Sequence, residues 1–161
     1  MTSKLQEEIK QSRRFESLQE ELLLNLSRTA AVVGHVIEQM LRPHGLSPTQ
    51  YNVLRILRGS GPMGLCQSEI AERLVAQVPD VPRIVDRMAK AGWVERVRGL
   101  ADRRLVMATL TLAGVKLVGG LDAAMSELHS VLFKDLTQEE MERLNELLVA
   151  ARQAARRETV A

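Results

Sequence analysis

The most concentrated chemistry in this chain lies between residues 83 and 104. Arg83, Arg87, Lys90, Arg96, Arg98, Arg103 and Arg104 stand there against Asp86, Glu95 and Asp102. Guanidinium groups stay charged at physiological pH and offer a planar fork of donors that matches phosphate and base edges. The whole chain carries 22 Lys+Arg against 20 Asp+Glu. It is therefore this local cluster, not the net charge, that implies a polyanionic partner. Two spacings divide the cluster. Arg83 and Arg87 are four residues apart, which places them on one face of a helix. Arg103 and Arg104 follow Asp102 in a short polar run between two segments that alternate in polarity.

The elements that must position these groups can be read from periodicity. Phe15, Leu18, Leu22, Leu26, Ala30, Val33, Ile37 and Met40 recur every three or four residues and predict a long helix ending near Arg42. Pro43, Gly45 and Pro48 break it. Ser47 with Gln50 forms a capping box, Pro48 suits a first helical position, and a short helix follows through Leu57. Cys66 to Leu74 predicts a second short helix. After a turn at Val75–Pro79, Asp80 caps a third, with Val81, Ile84, Val85 and Met88 inward and a stop at Ala91-Gly92. The period then becomes two: Trp93–Arg98 and Leu105–Leu110 predict strands, joined by a loop from Gly99 to Arg104. Thr111 caps a long helix carrying Val118, Leu121, Met125, Leu128 and Leu132. A capping box at Thr137 and Glu140 opens the last helix, with Met141, Leu144, Leu148, Ala151 and Ala155 on its stripe. The terminal helices have apolar faces that none can bury alone, which predicts an intersubunit bundle.

This order is a mostly α (α+β) architecture: a winged helix-turn-helix lobe with a two-stranded wing, and a helical dimerisation lobe from both ends of the chain. The expected boundaries are 1–45, 46–110 and 111–161. A helix fits the major groove of B-DNA, where its first turns reach base edges. An arginine-tipped hairpin fits the minor groove, where negative potential is focused. Double-stranded DNA is the expected partner.

Five segments make the assignment specific: LSPTQYNVLRIL at 46–57, SEIAERL at 68–74, RIVDRMAKAGWVER at 83–96, DRR at 102–104 and LTLAG at 110–114. Together they resemble the MarR family of transcriptional regulators, from about Phe15 to Arg157. The resemblance implies a homodimer built by the terminal helices and two recognition helices on a pseudo-palindromic operator. It also implies a crevice for a small, aromatic or phenolic effector whose binding releases a repressor. Asp80, Pro82, Arg83 and Arg87 fall on the recognition helix. Gln67 and Ser68 begin the supporting helix, where backbone amides meet a phosphate. Arg96 and Arg98 line the strand leading to the wing. Asp102 and Arg104 match its Asp-x-Arg pair, with Arg104 the minor-groove probe and Arg103 beside it. His35, Val36, Met40 and Tyr51 match the crevice. The chain departs from the family pattern at VPDVPRIV, residues 78–85. Pro82 occupies a position that often contacts DNA, and it offers no donor.

The remaining chemistry is sparse. Cys66 is the single cysteine, which excludes an intrachain disulfide and leaves a thiol-based redox switch as an alternative reading. The three histidines are isolated in sequence, so no metal site and no cofactor is expected. There is no nucleophile motif and no Gly-rich phosphate loop, so an enzyme is not expected. No apolar run is long enough to cross a bilayer. Residues 1–14 are polar with no signal-peptide core, which predicts a cytoplasmic protein. The two prolines, Pro79 and Pro82, also suggest an alternative: a helical protein-interaction module that has lost DNA recognition.

Overall fold

The computed structural model describes residues 3–98 and 106–159, with side chains through Arg157. The chain divides into two compact units, Met1–Gly119 and Gly120–Ala161. The first contains α1 (Lys4–Glu8), α2 (Leu18–Leu41), a 3-10 turn (Arg42–His44), α3 (Pro48–Ser60), β1 (Leu65–Cys66), α4 (Gln67–Arg73), α5 (Val81–Lys90), β2 (Val94–Arg98), β3 (Val106–Leu110) and nearly all of α6 (Leu112–Gly120). The second contains α7 (Asp122–Leu132) and α8 (Gln138–Thr159).

Several helices start where a side chain replaces a missing backbone partner; α7, which follows Leu121, does not. Ser17 accepts the Glu20 N–H at 3.1 Å and opens α2. Ser47 and Gln50 cap each other reciprocally at α3, at 3.2 and 2.9 Å, with Pro48 at the first position. At α4 the Cys66 N–H donates to Glu69 at 2.8 Å. That bond holds the Glu69 carboxyl below its ordinary value of 4.5. The same device opens α8, where the Thr137 N–H donates to Glu140 at 2.8 Å and likewise lowers its carboxyl.

The core of the first unit is aliphatic. Leu41, Tyr51, Val53, Leu54, Leu57, Ile70, Val81, Val85, Met88, Val94 and Val118 are all buried. Burying each such side chain contributes roughly 1.5–3 kcal/mol. Three antiparallel strands in the order β1-β3-β2 lie beside the helices. β1 reaches β3 because Gly64 (φ +67°) has no side chain: a Cβ there would sit 2.2 Å from the Ala108 carbonyl.

One joint fastens the end of α5, the start of the wing and the start of α6. The Gly92 N–H donates to Ala89 O and the Trp93 N–H to Met88 O, both at 3.0 Å, with Gly92 left-handed at φ +77°. This double bond pattern satisfies the last carbonyls of α5. The Thr111 hydroxyl then donates to Gly92 O at 2.6 Å, and the Thr111 N–H donates to Trp93 O at 3.1 Å. The same hydroxyl accepts the Gly114 N–H at 3.1 Å. Gly114 is required by this closeness, because a Cβ would stand 2.1 Å from the Trp93 carbonyl. The Leu-Thr-x-x-Gly segment thus has a packing cause.

The structure differs from the sequence reading in several places: Phe15 precedes α2, and Cys66 belongs to β1 and caps α4 instead of opening it. The sheet has three strands, because the two-residue β1 is too short to show a period. The helix expected to run from Thr111 through Leu132 is interrupted at Leu121, beside Gly119 and Gly120; adjacent glycines weaken a helix by about 1 kcal/mol each. α3 continues past Leu57 to Ser60, whose hydroxyl donates to Leu57 O at 2.9 Å. The polar N-terminus contains α1, with Leu5 and Gln6 buried. The Gln6 amide donates to Gln11 O and Arg13 O at 3.1 and 3.3 Å, which closes the following loop.

Gly114→Ala should lower stability by about 2–4 kcal/mol, because backbone must move to admit the methyl. Gly119→Ala has no atom within 4 Å of the new carbon and should raise stability by about 0.5–1 kcal/mol. Thermal melts of the two variants against the parent read both signs. A second expectation concerns acid. Glu69 and Glu140 have folded-state pKa values below 4.5, so their stabilisation is present above that pH and is lost as pH falls through the lowered values. Melts from pH 6 to 3 should show the decline, and Glu69→Gln should flatten its share of it.

Candidate nucleic-acid interface

α5 has the geometry of a helix exposed on one side only. Val81, Val85 and Met88 are buried, while Pro82, Arg83, Arg87 and Lys90 are exposed. Both sets follow an i, i+4, i+7 rhythm offset by two residues, so they occupy opposite faces. Asp80 accepts the Arg83 N–H at 3.0 Å and sets the first turn. Pro82 falls within that turn, where a backbone N–H has no helical acceptor, so it leaves the helix intact. Arg83 and Arg87 have no acidic partner among the described residues. Their guanidinium groups are therefore available to an external anion.

The turn before α5 is held by a residue that periodicity did not single out. The Asn52 side chain, on α3, accepts the Val75 N–H at 2.9 Å and ties the α4–α5 connection to α3. Its signal was a poor helix former placed mid-helix, which gains from a tertiary partner. At the start of α4, Gln67 is half-buried and Ser68 is exposed. The Ser68 hydroxyl lies 3.0 Å from the Cys66 sulfur.

The wing base is β2 paired with β3 in the register Val94↔Leu110, Arg96↔Ala108 and Arg98↔Val106. Arg96 and Arg98 are both exposed on β2. They differ in one respect: Arg96 is ion-paired with Asp86 of α5, whereas Arg98 has no acidic partner among the described residues. Asp102, Arg103 and Arg104 lie outside the described residues.

Of the four crevice candidates, His35, Val36 and Met40 lie on α2 and Tyr51 on α3, and the two helices pack against one another. Tyr51 is buried, Val36 and Met40 are half-buried, and His35 is exposed. A separate cleft of about 340 Å³ opens at the other end of α3, lined by Leu57, Arg58, Pro62, Glu95, Thr109 and Val115 among others. Among the described residues, no group of three His, Cys, Asp or Glu side chains is placed to hold a metal ion. No described helix is long and apolar enough to cross a membrane.

Comparison with known proteins agrees with this geometry. The model of the MarR family matches residues 46–106. The HTH-type transcriptional regulator YwoH of Bacillus subtilis is 30% identical over 126 residues, covering 78% of this chain and 90% of YwoH. The crystal structure of a MarR transcription factor from Planctomyces limnophilus superposes with a TM-score of 0.64 at 35% identity, covering 85% of this chain and 99% of that one. CouR from Rhodococcus jostii RHA1, solved bound to p-coumaroyl-CoA, shares the fold with a TM-score of 0.71 at 23% identity, covering 83% and 93% of the two chains. An exposed cationic helix face, a helix-turn-helix tied down by Asn52 and a basic wing strand thus occur in a chain that belongs to the MarR family of DNA-binding transcriptional regulators, not to a family of enzymes.

Proposed function

We propose that this protein is a cytoplasmic, homodimeric repressor that occupies a pseudo-palindromic operator and leaves it when a small aromatic or phenolic effector binds. The observation that carries this reading is the outer face of α5, where Arg83 and Arg87 stand exposed, with no acidic partner among the described residues, opposite the buried Val81, Val85 and Met88. In the major groove this face presents two forked donors one helical turn apart to base edges and phosphates. Asp80 and Pro82 shape the entry of the helix. Gln67 and Ser68 direct the first amides of α4 toward a phosphate. Arg98 follows the backbone, and Arg103 and Arg104, which follow Asp102 in sequence, are assigned to the minor groove.

Two protomers place their helices in successive major grooves about 34 Å apart. Support for a dimer comes from apolar surface within each unit. On α2, Leu18, Leu22 and Leu23 are 77%, 63% and 63% exposed. On α8, Leu144, Leu147 and Val149 are also exposed, and no described α8 side chain is buried. Contiguous apolar surface of this kind calls for a partner. The effector crevice is assigned to His35, Val36, Met40 and Tyr51. Its ligand chemistry follows CouR, a relative in fold that was solved with an aromatic acyl thioester. Coupling of about 1–3 kcal/mol between crevice and helices would weaken operator binding by roughly 5- to 150-fold.

Binding to duplexes selected from a random library should be saturable and should steepen as salt is lowered. Arg83→Ala and Arg87→Ala should each reduce the slope of log affinity against log salt by about one and cost roughly 1–3 kcal/mol where they read a base. Arg104→Ala should reduce binding most at A·T-rich flanks. No saturable binding by the parent at low salt would leave the interaction-module alternative in possession. Leu22→Glu should convert a dimer to a monomer in sedimentation and abolish cooperative occupancy of two half-sites; an unchanged sedimenting mass would remove α2 from the interface.

A further inference from the structure

β2 is an edge strand, paired on one side only, with β3. Of its residues only Val94 is buried; Glu95, Arg96, Val97 and Arg98 are all exposed. On β3 the buried residues are Ala108 and Thr109, opposite Arg96 and Glu95. Beyond that level the hairpin leaves the core. Val97, Arg98 and Val106 are exposed, and Met107 is half-buried. A two-stranded ribbon without a core contact is readily twisted and bent, so its direction must be set at its base.

At that base, the side chain of Asp86 on α5 is ion-paired and hydrogen-bonded with Arg96 on β2. Among the described residues it is the one ion pair that links the helix to the wing. The pair sits at the height where burial ends. Asp86 occupies a half-buried position between the apolar and cationic faces of α5, and Arg96 is the last β2 residue opposite a buried β3 partner. Among the described residues, Arg83, Arg87 and Arg98 have no acidic partner, while Arg96 is already matched by Asp86.

From this geometry we infer that Asp86 and Arg96 are positioning residues: they form a strut that holds the wing at a fixed angle to α5, so that helix and wing meet the same duplex together. The inference rests on the DNA-contact reading above. It assigns Arg96 a role other than direct phosphate contact, and it makes an acidic residue on a DNA-facing helix a requirement for binding. Electrostatics alone predicts the reverse, since removing a carboxylate near a polyanion strengthens attraction to it. The two views differ in sign. The pair is more than a third exposed on both sides, at 39% and 47%, and exposed pairs contribute little to global stability. The strut should therefore register in affinity and not in the melting temperature.

The test uses the full chain and duplexes selected from a random library by the parent protein. Anisotropy titrations at several salt concentrations compare Asp86→Ala, Asp86→Asn, Arg96→Ala and the Asp86→Ala/Arg96→Ala double variant. Asp86→Asn keeps the side-chain shape, and melting temperatures verify that every variant is folded. Asp86→Ala and Arg96→Ala should each weaken binding about five- to tenfold, and the double variant should be no worse than either alone. The salt slope of the Asp86 variants should match the parent, because no phosphate contact is lost. Asp86→Asn should follow Asp86→Ala. Equal or tighter binding by the Asp86 variants would overturn the strut. So would additive losses in the double variant, or a slope reduced by about one in Arg96→Ala alone, which marks a direct phosphate contact. In those cases the parent still binds and the DNA-contact reading stands. A parent that binds no duplex removes that reading, and the strut with it.

Discussion

Three segments with different tasks meet at the peptide joining Gly92 to Trp93. α5 ends there, the outer strand of the sheet begins, and Thr111 brings α6 back against the same two carbonyls. A hydroxyl that donates to Gly92 O while accepting the Gly114 N–H satisfies two backbone groups with one side chain. The distance this requires is too short for any side chain at Gly114. The end of α5, the start of the hairpin and the start of α6 are thereby tied to one another.

α5 is anchored by a full apolar face, so its cations are carried on a support that does not yield. The α4–α5 turn gains a long-range fastening from Asn52, the hairpin gains one from Asp86, and each lies at the edge of the buried region. Among the described residues, Arg96 is matched by Asp86, while Arg83, Arg87 and Arg98 have no acidic partner. Such an arrangement suits a polyanion-binding surface: cations without acidic partners, mounted on elements whose positions are set by groups with partners. The prolines fit the same scheme. Within the first turn of α5, Pro82 removes a donor that no helical carbonyl would have accepted, and Asp80 supplies the cap.

Family membership adds a functional frame to this surface without replacing its physics. The matched segment, residues 46–106, runs from the buried Leu46 to the start of β3. It contains α3, α4, α5 and the wing, the parts with exposed cations and long-range fastenings. Outside it, α2 and α8 carry exposed leucines and valines.

Local rules determined most of the helices. Ser47 with Gln50, Thr137 with Glu140, Asp80 and Gly92 each act within a few residues of themselves, so side-chain chemistry and period alone located the elements they bound. The cationic face of α5 was legible for the same reason: a four-residue spacing is a local quantity. Tertiary structure decided what depends on neighbours distant in sequence. β1 exists because Gly64 lets it approach Ala108. Asn52 acquires its role from Val75, and Gly114 is small because of Trp93. Arg96 is distinguished from Arg98 by a carboxylate ten residues earlier on another element. A sequence states which groups are charged and how they repeat; which of those charges are already matched depends on distances that only the folded chain defines.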